Sequence, residues 1–223
     1  MPRQAKTTGQ PRLPLSRERV LRTAIELADR DGIESLSMRK LGRELGVEAM
    51  SLYNHVANKD DLLDGLADIM VGEIEVPSGG DDWKAAMRRR AISARGVLLR
   101  HPWASALIES RTNSSPTRMR YPDAVLGSLR RAGFSIPMAI HAFIALDSYI
   151  YGFAVQEGNL PSGSPEELAA VGELMLRDLP AGEYPYLHEV LADHVLEFGF
   201  DYAGEFEFGL DLILDGLERL RSS

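Results

Sequence analysis

Apolar residues recur at helical spacing along almost the whole chain, and no stretch carries the strict alternation of a half-buried strand. Residues 17–30, RERVLRTAIELADR, set Leu21, Ala24, Ile25 and Ala28 on one face and charges on the other. Ser16 is placed to cap this helix and Asp31-Gly32 to stop it. A second cap, Ser37, precedes MRKLGREL, which ends at Gly46. A third helix over about 48–55 follows, then a fourth from Asn58 to about 75, with Asp61 as the acid of a capping box. The linker VPSGGDD, 76–82, leads to helices over about 83–100, 103–110, 118–132, 136–157, 165–177, 187–199 and 202–221. The pattern predicts an all-α protein without internal repeats.

With 44% hydrophobic residues in 223, the chain can bury the core of one large or two modest domains. It has no cysteine, which excludes disulfides, a thiolate nucleophile and Cys-ligated zinc and fits a reducing cytoplasm. No uninterrupted apolar run approaches the roughly 18 residues of a membrane span. The start, MPRQAKTTGQPRLPLS, lacks the apolar centre of a signal peptide, so residues 1–15 are expected to be a disordered basic arm. The net charge of −8 is unevenly distributed: residues 1–59 hold 11 Lys/Arg against 7 Asp/Glu, and the rest hold 14 against 26. A basic head on an acidic body suggests two modules, with phosphate as the partner of the first.

In the head, helices over about 37–44 and 48–55 are joined by a tight turn containing Gly46, the layout of a helix-turn-helix. Leu41, Leu45 and Val47 are placed to bury against Leu21 and Ile25, and Gly42 sits where two helices can approach closely. The second helix is too short to be stable alone, so packing must hold it, and its length suits a major groove. Ser51, Tyr53 and His55 then offer hydroxyl, phenol and imidazole to phosphates or base edges. Lys59 adds charge beside the N–H groups that open the fourth helix.

Residues 20–66, VLRTAIELADRDGIESLSMRKLGRELGVEAMSLYNHVANKDDLLDGL, resemble the DNA-binding domain of the TetR family of bacterial repressors. The telling parts are the spacing of Ala24, Leu27 and Gly32, then SMRKLGRELGV, then Leu52-Tyr53, His55 and Asn58-Lys59. The resemblance implies that Tyr53, His55 and Lys59 contact phosphates or nearby groups. It places Ala49, Met50 and Ser51 at the variable start of the recognition helix, where bases are read. Arg39 matches a position that reaches guanine in tetracycline repressors, and Ser37 one where the cap hydroxyl also touches a phosphate. Bland readings stand beside these: Tyr53 as a core residue, His55 as a surface histidine, Arg39 paired with Glu44 or Glu48, and Met50 in apolar contact only. Arg3, Lys6 and Arg12 of the arm are candidates for the minor groove.

The body holds two unusual helices. Residues 202–221 carry the stripe Phe206, Leu210, Ile213, Leu217 and Leu220, with Phe208 and Leu212 off it and Gly209 and Gly216 seven apart. A terminal helix apolar on more than one side needs more than one partner surface, and a second copy in a four-helix bundle supplies it. That stripe is the expected homodimer contact. Residues 136–157 are apolar almost all round but contain Asp147, which shares a face with Phe143, Ile144, Tyr151 and Ala154. Asp147 reads either as the charged anchor of a ligand pocket or as a structural hydrogen-bonding group. The pocket lining expected around it is Trp103, Leu107, Tyr121, Phe143 and Tyr151, with Trp83 and Tyr149 as further candidates.

The helix order, HPWASALIESRT, AGFS and FEFGLDLILDGLERL are similar to the regulatory domain of the tetracycline-repressor type, so the resemblance covers most of residues 16–221. Where those repressors set histidines around a drug–magnesium complex, this chain reads Glu73-Ile74 and Ile108. His101, His141, His188 and His194 have no metal-ligand spacing, so neither a metal nor a cofactor is expected.

The domains expected are the arm 1–15, a helix-turn-helix DNA-binding domain over 16–62 and a helical regulatory and dimerisation domain over 63–223. The expected function is a cytoplasmic, ligand-responsive repressor with three partners: a palindromic double-stranded operator, its own copy, and a small apolar or aromatic effector. A membrane is not among them. The alternative is a DNA-binding dimer controlled by a protein partner or by abundance. An all-helical enzyme is remote, because no phosphate loop, G-x-S-x-G or H-E-x-x-H is present and His141 and Asp147 do not share a helix face.

Overall fold

The computed structural model describes residues 14–78, 82–111, 115–160, 165–180, 182–196 and 201–221. Among them every regular element is helical. Arg3, Lys6 and Arg12 lie outside the described residues, as does the side chain of His194. The helices are α1 (Arg17–Asp31), α2 (Met38–Leu45), α3 (Ala49–Leu52), α4 (Lys59–Glu73), α5 (Trp83–Arg100), α6 (Ala104–Ser110), α7 (Pro116–Arg131), α8 (Ile136–Gly158), α9 (Pro165–Asp178), α10 (Pro185–Val190) and α11 (Tyr202–Arg221). A 3-10 turn, Ile33–Ser35, follows α1, and a π-helical turn, Leu191–Val195, follows α10.

Two compact units, Met1–Ala67 and Asp68–Ser223, divide inside α4. The division falls further along than the 62/63 boundary taken from the sequence. The start of α4 belongs to the first unit, where Leu62 and Leu66 are fully buried and Gly65 lies against the Leu21 side chain.

The first unit closes around Val20, Leu21, Ala24 and Leu27 of α1, with Leu36, Leu41, Leu45, Leu52 and Val56. Ile25 and Val47, expected in this core, are only half-buried, because the inward face of α1 turns toward Val20 and Thr23. Ser16 Oγ accepts from Arg19 N and Ser37 Oγ from Lys40 N, so both expected caps form. Gly46 ends α2 in the left-handed region at φ 68°, which a residue with a Cβ adopts only with strain. At Gly42 a Cβ would stand 2.9 Å from Val47 O and 3.2 Å from Ala49 N, so α3 approaches α2 through the missing side chain.

α3 is shorter than expected. Beyond Leu52 the chain tightens into turns, with i→i+3 bonds from Tyr53 N to Met50 O and from Asn54 N to Ser51 O. Tyr53 and His55 therefore stand on a turn rather than on the helix. Arg17 secures this turn: its Nη1 donates to His55 O at 3.0 Å, and both its terminal nitrogens donate to Asp61, at 2.8 and 2.9 Å. Asp61 also accepts from Ala57 N, while Asn58 Oδ1 caps Asp61 N. The Arg17 hydrogen bond holds the Asp61 carboxyl below its ordinary value, against a smaller desolvation.

In the second unit α8 packs against α5, α7 and α11. α8 has the length and mean hydropathy, 1.4, of a bilayer span. It is nevertheless a bundle helix with Asp147 in an ion pair, and it buries only Ala139, Ala142, Leu146, Ile150 and Ala154. Ile136, Ile140, Ile144 and Val155, part of its all-round apolar surface, are exposed.

α11 corrects a second expectation. Phe206, Leu210 and Leu217 are buried within the chain itself, together with Leu214, because that face meets α5 and α8. Ile213 is half-buried and Leu220 exposed. Gly209, expected to admit a second helix from another copy, instead admits Tyr149 of α8, whose hydroxyl donates to Phe206 O at 3.0 Å. Outside this core, Lys84 binds Asp215 and Glu218, and Arg88 binds Glu207 and Asp211, a ladder of ion pairs joining α5 to α11.

Gly42→Val should destabilise the first unit by about 1–3 kcal/mol, since the atoms it meets are backbone and cannot repack. Thermal unfolding followed by circular dichroism checks this, and an unchanged melt would contradict the close approach. Because the folded Asp61 carboxyl titrates below its unfolded value, its contribution is present above that value and lost as pH falls through the folded one. Melts should weaken below about pH 4, and Asp61→Asn should flatten that part of the profile.

Candidate functional site

Two constellations stand out, one in each unit. In the first, Met50 is 75% and Tyr53 43% exposed, far more than large apolar and aromatic side chains need be in a packed head. Arg39 and Lys59 are exposed as well, and Ala49, Ser51 and His55 are half-exposed. Arg39 pairs with neither Glu44 nor Glu48; Glu44 is taken by Arg30 at 3.2 Å. Lys40 binds Asp31 instead of facing outward alone. Ser37 Oγ already caps α2, so any phosphate contact it makes is shared with that role. At the start of α4, Asn58 and Asp61 occupy the N–H groups of Asp61 and Ala57, which narrows the phosphate seat expected beside Lys59.

In the second unit a cavity of about 300 Å³ opens among α4, α6, α7 and α8. Tyr121, Phe143, Asp147 and Tyr151 line it as expected, with Val71, Ile108, Glu109, Arg111, Arg118, Met119 and Pro122. A neighbouring recess of about 380 Å³ shares Glu109, Phe143, Asp147 and Tyr151. Trp103 and Leu107 do not line either space; both are buried in the core. Trp83 is buried edge-on to Phe134, and the half-buried Tyr149 stacks on Phe206, so neither of these further candidates lines the cavity. Ile108, noted for standing where tetracycline repressors have a histidine, is in the wall. Glu73 binds Arg100, and Ile74 is buried.

Sequence reasoning missed the residue that organises this wall. Arg90 of α5 is 1% exposed and joins Asp147 of α8 through Nη2 and Oδ1. Its Nε donates to Tyr121 Oη of α7 at 2.8 Å, and its guanidinium lies 5.1 Å from the Tyr121 ring centre and 5.6 Å from that of Phe143. The available signal was its register: Arg90 falls on the face of α5 that also buries Met87, Ala91 and Ala94. Asp147 therefore has a structural partner and a place in the cavity wall at once. Burial pushes its carboxyl up, and Arg90 pulls it back. Burial likewise raises the Tyr121 hydroxyl to about 12 and raises that of Tyr151, so both remain neutral donors. Arg118 was also missed. It lines the cavity and donates through Nε to Asp68 of α4 at 2.9 Å, where Ser115 Oγ binds the same oxygen at 2.7 Å.

An outward-facing helix-turn-helix and a helical unit with an aromatic-lined cavity define a DNA-binding transcriptional regulator. Residues 20–66 match the family "Bacterial regulatory proteins, tetR family", and residues 76–221 match "Tetracyclin repressor-like, C-terminal domain". The chain is 35% identical to the HTH-type transcriptional repressor DrrR1 of Streptomyces coeruleorubidus, over 94% of this chain and 80% of that one. It is 37% identical to the class C tetracycline repressor protein of Escherichia coli, over 93% and 92%. The solved TetR family protein ActR of Streptomyces coelicolor, in complex with actinorhodin, superposes with a TM-score of 0.73 at 28% identity over 95% of this chain and 100% of that one. The chain belongs to the tetR family: it is a transcriptional regulator and not an enzyme.

Removing one member of the Arg90–Asp147 pair strands the other in a low-dielectric wall. Asp147→Leu should therefore cost about 3–5 kcal/mol. The double variant Arg90→Met/Asp147→Leu should recover most of that loss, because no charge is left unpaired. Thermal unfolding of the three proteins checks this, and a double variant less stable than the single one would contradict it.

Proposed function

We propose that the protein is a homodimeric repressor that holds a palindromic operator and releases it when a small, largely apolar or aromatic effector enters the body. The carrying observation is that Arg118 belongs to the cavity wall and also grips Asp68 on α4, the helix that begins in the DNA-reading unit. An effector that displaces Arg118 alters the hold on α4. It shifts the population toward dimers whose heads are wrongly set for DNA, provided it binds the two states unequally.

On this reading Ala49, Met50 and Ser51 meet base edges, and Arg39 grips a guanine by its two major-groove acceptors. Tyr53, His55, Lys59 and the Ser37 hydroxyl meet phosphates. Two copies associate through the outward face of α11, where Phe208 and Leu212 are 65% and 57% exposed. That face lies opposite Phe206, Leu210 and Leu217, so the same helix serves its own core and the second copy. The two heads then span successive major grooves, roughly 34–36 Å apart.

Fluorescence anisotropy on the DNA upstream of its own gene, beside scrambled DNA and across a salt series, tests the reading. Arg39→Ala should cost about 1–3 kcal/mol and relax specificity, and Lys59→Ala should lower the salt slope by about one. Leu212→Asp should sediment as a folded monomer and lose specific binding. A folded dimer that ignores every DNA offered would sink the proposal.

A further inference from the structure

The wall of the cavity carries, on Asp147, a carboxylate oxygen with no protein partner among the described residues. Asp147 uses Oδ1 for Arg90, while Oδ2 makes no hydrogen bond among the described residues. Asp147 lines both recesses and keeps 22% of its side chain exposed, so Oδ2 belongs to a group a ligand can reach. Around it the surface is apolar and flat: Phe143, Tyr121, Ile108 and Tyr151. The Tyr151 hydroxyl, next to Asp147 in both linings, likewise makes no hydrogen bond among the described residues, unlike that of Tyr149.

Charge decides which ligand group suits that oxygen. A cation gains little, because Arg90 already neutralises the carboxylate and its own charge sits directly behind. An anion that reaches this oxygen meets the lone pairs of Asp147 directly, and of the wall's two cations, Arg111 and Arg118, the second is already held by Asp68 and by the Arg111 carbonyl. A neutral donor, by contrast, donates a charge-assisted hydrogen bond to the carboxylate without bringing a second charge into a poorly solvated wall. Arg90 fixes the carboxylate in place, so the acceptor is preorganised.

We propose that Asp147, held by Arg90, is the specificity-determining residue of the effector cavity and accepts a hydrogen bond from a phenolic or other neutral hydroxyl on a flat aromatic effector, with Tyr151 as a second polar contact. Effectors whose hydroxyl is capped by a methyl group are rejected, because the oxygen is then desolvated and left unpaired. This rests on the effector reading above.

The test uses four probes of one ring system on the full-length dimer: 2-naphthol, 2-methoxynaphthalene, 2-naphthylmethylammonium and 2-naphthoate. Binding is read by titration calorimetry and by the shift in melting temperature. Expected is tightest binding of 2-naphthol, about ten- to hundredfold over the methyl ether, with both ions weaker than 2-naphthol. In Arg90→Met/Asp147→Leu the naphthol preference should collapse to within about threefold, a residue of Tyr151 and the altered wall. Equal binding of naphthol and ether by the wild type overturns the proposal. So does a preference for either ion, no saturable binding of any probe at millimolar concentration, or a double variant that still discriminates. Operator release is measured beside binding. Discriminating binding without release leaves this inference standing and refutes the effector reading, whereas release by naphthol and ether alike refutes this inference alone.

Discussion

The second unit is organised around a guanidinium with almost no contact with water. Arg90 extends from α5 into a space bounded by α7 and α8, and each of those helices answers it with one side chain, Tyr121 and Asp147. A buried cation is tolerated only where such partners are exact in position. The relative placement of three helices is therefore tied to one hydrogen-bonding geometry, while buried apolar residues of the same helices, Met87, Leu129 and Leu146, supply the non-directional part of the packing. The same geometry orients Tyr121, Phe143 and Asp147 toward the cavity side, so the group that secures the bundle also shapes the binding wall.

The head is built the opposite way, from local rules. Ser16 and Ser37 open two helices, Gly46 closes one, and Gly42 lets the short α3 lie close against α2. A four-residue helix has no stability of its own, and its outward side is free to carry residues chosen for contact with another molecule. Arg17, reaching from α1 to Asp61 and to the carbonyl of His55, makes the turn after α3 part of the scaffold. Tyr53 and His55 are thereby presented by a braced turn.

This difference explains what could be read in advance. Caps, stops and the turn glycine are written in neighbouring residues, so the helices of the head and the exposed set of Arg39, Met50, Tyr53 and Lys59 were legible. The extent of α3 was not, because periodicity does not distinguish a helical turn from the i→i+3 turns that follow Leu52. In the body, Tyr121, Phe143, Asp147 and Tyr151 were found from one helix face and its aromatic surroundings. Arg90 and Arg118 were not found, since their importance depends on partners 57 and 50 residues away in the chain. On α11 the periodic stripe was real but ambiguous: a buried face looks the same in sequence whether its own chain or another covers it.

The ladder between α5 and α11 has a consequence for how the molecule meets a polyanion. Lys84 and Arg88, which lie on the outside of their helix, are each held by two carboxylates. Many of the body's cations are thus paired within it, and residues 68–223 carry 14 basic against 23 acidic side chains. A duplex drifting toward that surface is repelled rather than loosely caught. Contact with DNA is thereby left to the exposed side of the head that carries Arg39 and Lys59.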